Sequence, residues 1–150
     1  MVYSLIFAGG VGTRMKSQEI PKQFLEVDGK PIIIHTIEHF AEHSMVDYIV
    51  VVCLESWIDE LKLSLERFNV KKVVSIIPGG KTGYQSIHNG LLRIAETAKE
   101  DDIVLICDGV RPMLSEQLIT TCIADTIKYG SAVPVTPSID SVLYSDDGIT

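Results

Sequence analysis

The stretch FAGGVGTRMKSQEIPKQF places Gly9, Gly10 and Gly12 directly behind an apolar run and follows them with Arg14, Lys16 and Lys22. Glycines let backbone N–H groups approach phosphate oxygens closely, an arginine grips phosphate fork to fork, and a lysine adds a point charge. This is more positive charge than a diphosphate at a helix end needs. It suits a triphosphate whose pyrophosphate leaves as negative charge builds. The bland alternative is a surface loop with solvated cations. Three glycines, Arg14 and Lys22 in this order favour the phosphate.

Two better-known phosphate loops fail here. The dinucleotide fingerprint needs a third glycine where Met15 stands, and an acid at the end of the second strand, where Glu55 is poorly spaced. The ATP-binding P-loop ends in Gly-Lys-Ser/Thr, which is absent.

The chain has 150 residues, 46% of them hydrophobic, with a formal net charge of -7. That supports one domain with a core, and the acidic balance argues against a nucleic-acid partner. Cations gathered inside an acidic chain point to a focused site for a small anion. Cys53, Cys107 and Cys122 lie in apolar stretches without a CxxC pair, which reads as reduced buried thiols in a cytoplasmic protein. No basic leader precedes the first strand and no apolar run is long enough for a bilayer. Ser145-Asp146-Asp147-Gly148 reads as a turn whose second strand is missing, so the chain is expected to be one nucleotidyltransferase domain cut short on its C-terminal side.

The elements that must carry these residues alternate. Strands are expected at 2–8, 48–53, 72–77, 103–107 and 131–135, and helices at 31–43, 55–68, 83–98 and 115–129. The strands are unbroken apolar runs, as in a mostly parallel, doubly wound α/β sheet with helices on both faces. Ligands of such sheets bind at the carboxyl ends of the strands. The segments after the first, third and fourth strands are GGVGTRMKSQEIPKQ, PGGKTG and DGVRP, all rich in glycine or charge.

AGGVGTRM followed by PKQFLEVDGKPIIIHTIEHF, then GGKTGYQSI, then CDGVRP, resembles the polyol-phosphate cytidylyltransferases. This family includes the enzymes for 2-C-methyl-D-erythritol 4-phosphate and for ribitol 5-phosphate. The three ordered motifs cover nearly the whole chain. The Gly9-Gly10 doublet, PIIIHTIEHF and DGVRP are more similar to the ribitol branch than to the Ala-Ala-Gly and DAARP of the other.

The resemblance implies a Rossmann-like fold of the nucleotide-diphospho-sugar transferase type. It implies attack by a polyol phosphate on the α-phosphorus of CTP, with Mg²⁺ and pyrophosphate release. Ala8, Gly9, Gly10 and Gly12 would wrap the nucleotide, Arg14 would bind the β- and γ-phosphates, and Lys22 would neutralise the α-phosphate. Gly79, Gly80 and Ser86 match the base-reading loop, with the Ser86 hydroxyl serving the ring, and Lys81 beside them would also meet the nucleotide. Asp108 would meet the metal and ribose, Arg111 the acceptor, and Ser141, behind Asp140, would also touch the acceptor. The arm after Ser141 builds a homodimer in similar enzymes.

Departures also stand out. Gly83 occupies the place of a usual arginine, Lys81 that of an acidic or small residue, and PVTPSIDS is longer than the usual PVxDT. A second metal-binding aspartate and another catalytic lysine belong to the family's C-terminal part, so residues 1–150 alone are expected to be inactive. A non-catalytic nucleotide-binding module and an NAD-dependent oxidoreductase are the rivals from other classes. A related enzyme using another base or a sugar 1-phosphate is the nearer rival. His35–His39 and His39–His43 each spell H-x-x-E-H, a zinc motif in other proteins. Here the apolar stripe uses Ile34, Ile37 and Phe40, so the histidines are expected on the opposite, polar side without a metal. His88 reads as a structural or surface residue.

Overall fold

The computed structural model describes residues 1–9 and 20–137. Four parallel strands form the central sheet: β1 (Val2–Ala8), β4 (Tyr48–Cys53), β5 (Val73–Pro78) and β6 (Ile103–Asp108). Their order is β5-β4-β1-β6. β1 pairs with β4 from Tyr3↔Tyr48 to Ala8↔Cys53, and with β6 from Val2↔Ile103 to Phe7↔Asp108. The doubly wound, parallel α/β expectation therefore holds.

Helices cover both faces. α1 (Ile32–Glu42), α2 (Ile58–Arg67) and α4 (Glu116–Tyr129) share one core with Ile6, Ala8, Ile49 and Val51. α3 (Gly83–Ala95) packs on the other face, against Tyr3, Leu5, Val50 and Val52. Alternation along β1 and β4 sends successive side chains to opposite cores, which is why both runs are apolar without a break. Gly90 sits inside α3 because a Cβ there would meet Leu5 Cδ1 at 2.3 Å. The helix lies too close to the sheet for any larger residue.

Helix boundaries follow from caps. The Thr82 hydroxyl accepts from Gln85 N at the start of α3, and the Ser115 hydroxyl accepts from Leu118 N at the start of α4. Gly130 ends α4 with φ 85°, the left-handed conformation that glycine adopts freely. α1 starts directly after Pro31, whose ring suits a helix entrance.

Two features differ from expectation. A two-stranded hairpin, β2 (Glu26–Val27) and β3 (Lys30–Pro31), precedes α1, turned by Asp28 and Gly29 with φ 52° and 73°. Residues 131–135, expected as a fifth strand, form no ladder with any described residue. Val133 and Val135 are 82% and 86% exposed, and Pro134 has no N–H to donate. Extended, apolar sequence becomes a strand only when a neighbour takes its backbone hydrogen bonds. The turn expected at 145–148 lies outside the described residues.

Candidate functional site

Glycines crowd the carboxyl edge of the sheet. Gly79 N donates to Cys53 O at 2.8 Å and Gly109 N donates to Phe7 O at 2.9 Å, so two ladders run one step past their strands. A Cβ on Gly9 would meet Ser86 Oγ at 2.8 Å and Gly79 Cα at 3.4 Å. A Cβ on Gly109 would meet Ala8 Cβ at 2.8 Å. The loops after β1 and β5 thus meet through glycines, and the loop after β6 lies against the end of β1 through Gly109. Side chains at these glycines would force the segments apart.

The PKQF segment forms a single 3-10 turn at Lys22–Phe24. Gln23 is buried, and its Nε2 donates to Ala8 O at 2.7 Å. Phe24 is buried too, tilted against Trp57 with ring centroids 4.5 Å apart. These two anchors fix the turn to the end of β1 and to the entrance of α2. Lys22 itself is exposed, and its ammonium pairs with no carboxylate among the described residues. Composition reading singles out Lys22. It misses Gln23, whose partner is a backbone carbonyl that no side-chain pattern announces.

The segment Gly79–Ser86 is held by its own residues. Buried Ser86 accepts from Gly80 N at 3.1 Å and donates to Thr82 O at 3.0 Å. Gln85 Oε1 accepts from Lys81 N at 2.8 Å. The Ser86 proton is therefore used inside the loop, so this hydroxyl shapes the loop and keeps one further lone pair of its oxygen. Lys81 is exposed and forms no ion pair among the described residues. Gly83 opens α3 with open space for 4 Å around the point a Cβ would occupy and no positive φ, so neither packing nor backbone shape requires glycine there.

Asp108 closes β6, half-buried, with Oδ1 accepting from Val110 N at 3.3 Å. Arg111 is exposed, and both residues line a groove of ≈ 750 Å³ together with Phe7, Phe40, Leu105 and Cys107. Burial, and then the Asp108 charge, push the Cys107 thiol up to about 11, while Arg111 pulls the other way. Burial pushes Cys53, at the end of β4, up to about 11 as well. Both thiols stay protonated and unreactive near neutrality. Helix α1 reaches this loop: Thr36 Oγ1 lies 3.2 Å from Gly109 O, and His39 Nε2 lies 2.8 Å from Pro112 O.

The structure thus brings together Ala8, Gly9, Gly79, Gly80 and Ser86, and sets Asp108 and Arg111 on one groove. Gly10, Gly12, Arg14, Asp140 and Ser141 lie outside the described residues. The histidines of α1 are spent singly: His35 Nε2 lies 3.0 Å from Val27 O, His39 on Pro112 O, and His43 Nε2 3.0 Å from Thr120 Oγ1. No group of three metal-ligating side chains occurs among the described residues. His43 corrects the expectation of a polar, solvent side: it is only 3% exposed, wedged between α1 and α4 by its bond to Thr120. His88 is exposed and stacked on Tyr84. No helix among the described residues is long and apolar enough to cross a membrane.

A family model described as 2-C-methyl-D-erythritol 4-phosphate cytidylyltransferase matches residues 2–150. The chain is 47% identical over 147 residues to a ribitol-5-phosphate cytidylyltransferase of Vibrio parahaemolyticus, covering 98% of this chain and 62% of that protein. It is 45% identical to a protein of the same name from Streptococcus agalactiae, with the same coverage. Among solved structures it is similar to the 4-diphosphocytidyl-2C-methyl-D-erythritol synthase of Anaerococcus prevotii, with TM-score 0.76 and 27% identity over 97% of this chain and 60% of that one. The chain spans about 62% of the length of these curated relatives.

Proposed function

The chain belongs to the 2-C-methyl-D-erythritol 4-phosphate cytidylyltransferase family, and from that membership we propose that the complete protein transfers CMP from CTP to D-ribitol 5-phosphate, giving CDP-ribitol and pyrophosphate. The observation that carries this reading is the contact of Gly9 with Gly79 and Ser86 at the sheet edge. It joins a phosphate loop to a base loop, as one nucleotide requires. The relatives that share 45–47% identity carry the ribitol name, which favours that acceptor.

In this reading Ala8, Gly9, Gly10 and Gly12 line the triphosphate and Arg14 holds its outer phosphates. Lys22, presented by the turn that Gln23 anchors, stabilises charge at the α-phosphate. Gly79, Gly80 and Lys81 face the nucleotide base, with Ser86 holding that loop in shape. Arg111 and Ser141 meet the acceptor. The reaction needs no covalent enzyme intermediate, so the protein contributes positioning and electrostatics.

Asp108 fits a Mg²⁺ ligand. Its second oxygen has no partner among the described residues, and Mg²⁺ characteristically takes one or two carboxylates together with waters and phosphate oxygens. The ion, when bound, would neutralise phosphate charge. A homodimer in the cytoplasm completes the reading, supported by the resemblance of the segment after Ser141 to a dimer arm and by the reduced thiols.

The test is pyrophosphate release by the complete protein with CTP and Mg²⁺, given ribitol 5-phosphate or 2-C-methyl-D-erythritol 4-phosphate in parallel. Release with ribitol 5-phosphate alone is expected. Release with methylerythritol phosphate alone would replace the acceptor and keep the reaction, a second reading favoured by the family description and the solved neighbour. CTP binding without release in either case would leave a binding module. Lys22→Ala should lower kcat by roughly 10²–10³-fold, with a smaller change in the KM for CTP.

A further inference from the structure

Helix α1 carries no residue of the proposed reaction, yet two of its side chains end on the loop that carries two of them. Thr36 Oγ1 lies 3.2 Å from Gly109 O, and His39 Nε2 lies 2.8 Å from Pro112 O. These carbonyls bracket Arg111 and follow Asp108. Thr36 and His39 are three apart on a helix, so they point the same way. We propose that they are positioning residues, a clamp that holds the Asp108–Pro112 loop in the shape that meets the acceptor phosphate; this rests on the cytidylyltransferase reading above.

The loop needs such a hold. Pro112 has no N–H, so its carbonyl is its single backbone handle. A carbonyl only accepts, so His39 must donate from Nε2. Both the neutral Nε2–H tautomer and the imidazolium supply that proton. Gly109 is pressed so close to β1 that a Cβ would meet Ala8 Cβ at 2.8 Å. One end of the loop is thus fixed by packing and the other by His39. The platform behind the clamp is rigid: Ile33, Ile34, Thr36 and Ile37 are wholly buried. A site precise enough for group transfer depends on support of this kind. Thr36 shares its single proton between Gly109 O and Ile32 O, both at 3.2 Å. His39 is therefore the stronger member.

The experiment varies each substrate separately for the complete protein and its His39→Ala, His39→Gln and Thr36→Val variants, and follows amide exchange at Val110 and Arg111. The expected result for His39→Ala is an acceptor KM raised about tenfold, a KM for CTP within about twofold, and faster exchange at both amides. Gln places an N–H near the same point as imidazole Nε2, so His39→Gln should regain most of the loss. Thr36→Val should have a smaller effect in the same direction. Both KM values rising together, or His39→Gln faring no better than His39→Ala, would overturn the clamp, as would unchanged exchange at Val110 and Arg111. A wild-type protein that releases no pyrophosphate with either polyol phosphate would instead sink the catalytic reading, and the acceptor's place in this inference with it.

Discussion

The two loops that flank the proposed site are held in opposite ways. Beyond the bond from Gly79 N to Cys53 O, the Gly79–Ser86 loop is tied by Gly80, Lys81, Thr82, Gln85 and Ser86 to one another, over sequence separations of 3 to 6 residues. Within itself the Asp108–Pro112 loop has one bond, from Val110 N to Asp108; its longer-range support comes from β1, through Gly109 N to Phe7 O, and from α1, across a separation of 73 residues. The first loop can take shape as soon as α3 forms. The second is shaped only when the sheet and α1 are already in place. A self-tied loop should lose its own ligand and nothing else when damaged, whereas a loop braced from elsewhere can be disturbed by residues that touch no ligand.

The sharpest challenge to that contrast is Gly80→Ala. A Cβ at Gly80 would stand 2.3 Å from Gln85 Cβ, at the base of that side chain, where it cannot swing away. The KM for CTP should rise about tenfold or more while the acceptor KM stays within about twofold. A rise in the acceptor KM as well would show that the loops are coupled. Thr82→Ala is milder. It removes the cap of α3, costs about 1 kcal/mol in a denaturation experiment, and should raise the KM for CTP by up to about fivefold.

Each loop also begins beside a thiol, which offers a pH test. Unfolded cysteine loses its proton near 9.0, whereas Cys53 and Cys107 hold theirs up to about 11 in the folded protein. Their folded values are raised, so this contribution to stability is complete below pH 9.0 and is lost as pH climbs through about 11. Urea midpoints should therefore fall across that window, and Cys53→Ala should flatten the fall. Asp108→Asn should flatten it too, through Cys107, whose thiol the Asp108 charge helps to push up. The smallest change is expected from Gly83→Ala. The site has open space and an ordinary φ, so stability should increase by about 0.5 kcal/mol, read as a slightly higher Tm.

How much can be read from residue order alone depends on the range of the cause. β1 and β4 fall at their expected limits because apolar runs covered on both faces announce themselves within six or seven residues. Ser115 and the start of α3 follow from caps three residues away. The hairpin at Glu26–Pro31 is within reach too, since Asp28-Gly29 is a strong turn signal, but its two-residue strands are too short for a search by apolar runs to find. Residues 131–135 mislead because β-branched composition says nothing about whether a neighbouring edge is in register. Lys22, Asp108 and Arg111 stand out by charge beside glycine. Gln23, Thr36 and His39 do not, since their partners are backbone carbonyls whose proximity only the fold creates. His39 sits in a spacing that also spells a zinc motif, and in the fold its Nε2 donates to Pro112 O.

The strand order has a consequence for how the molecule comes into being. β1 leaves the ribosome before the other strands of its sheet, yet one of its two neighbours is β6, with Val2 beside Ile103. Until that strand emerges, one edge of β1 has only water or other chains to bond. Closing so long a loop is slow, and exposed strand edges attract misplaced partners. The vulnerable interval in synthesis thus lasts from the completion of β4 until about residue 108. Slow codons or chaperone contacts placed within that interval would act on yield without touching a single atom of the finished site.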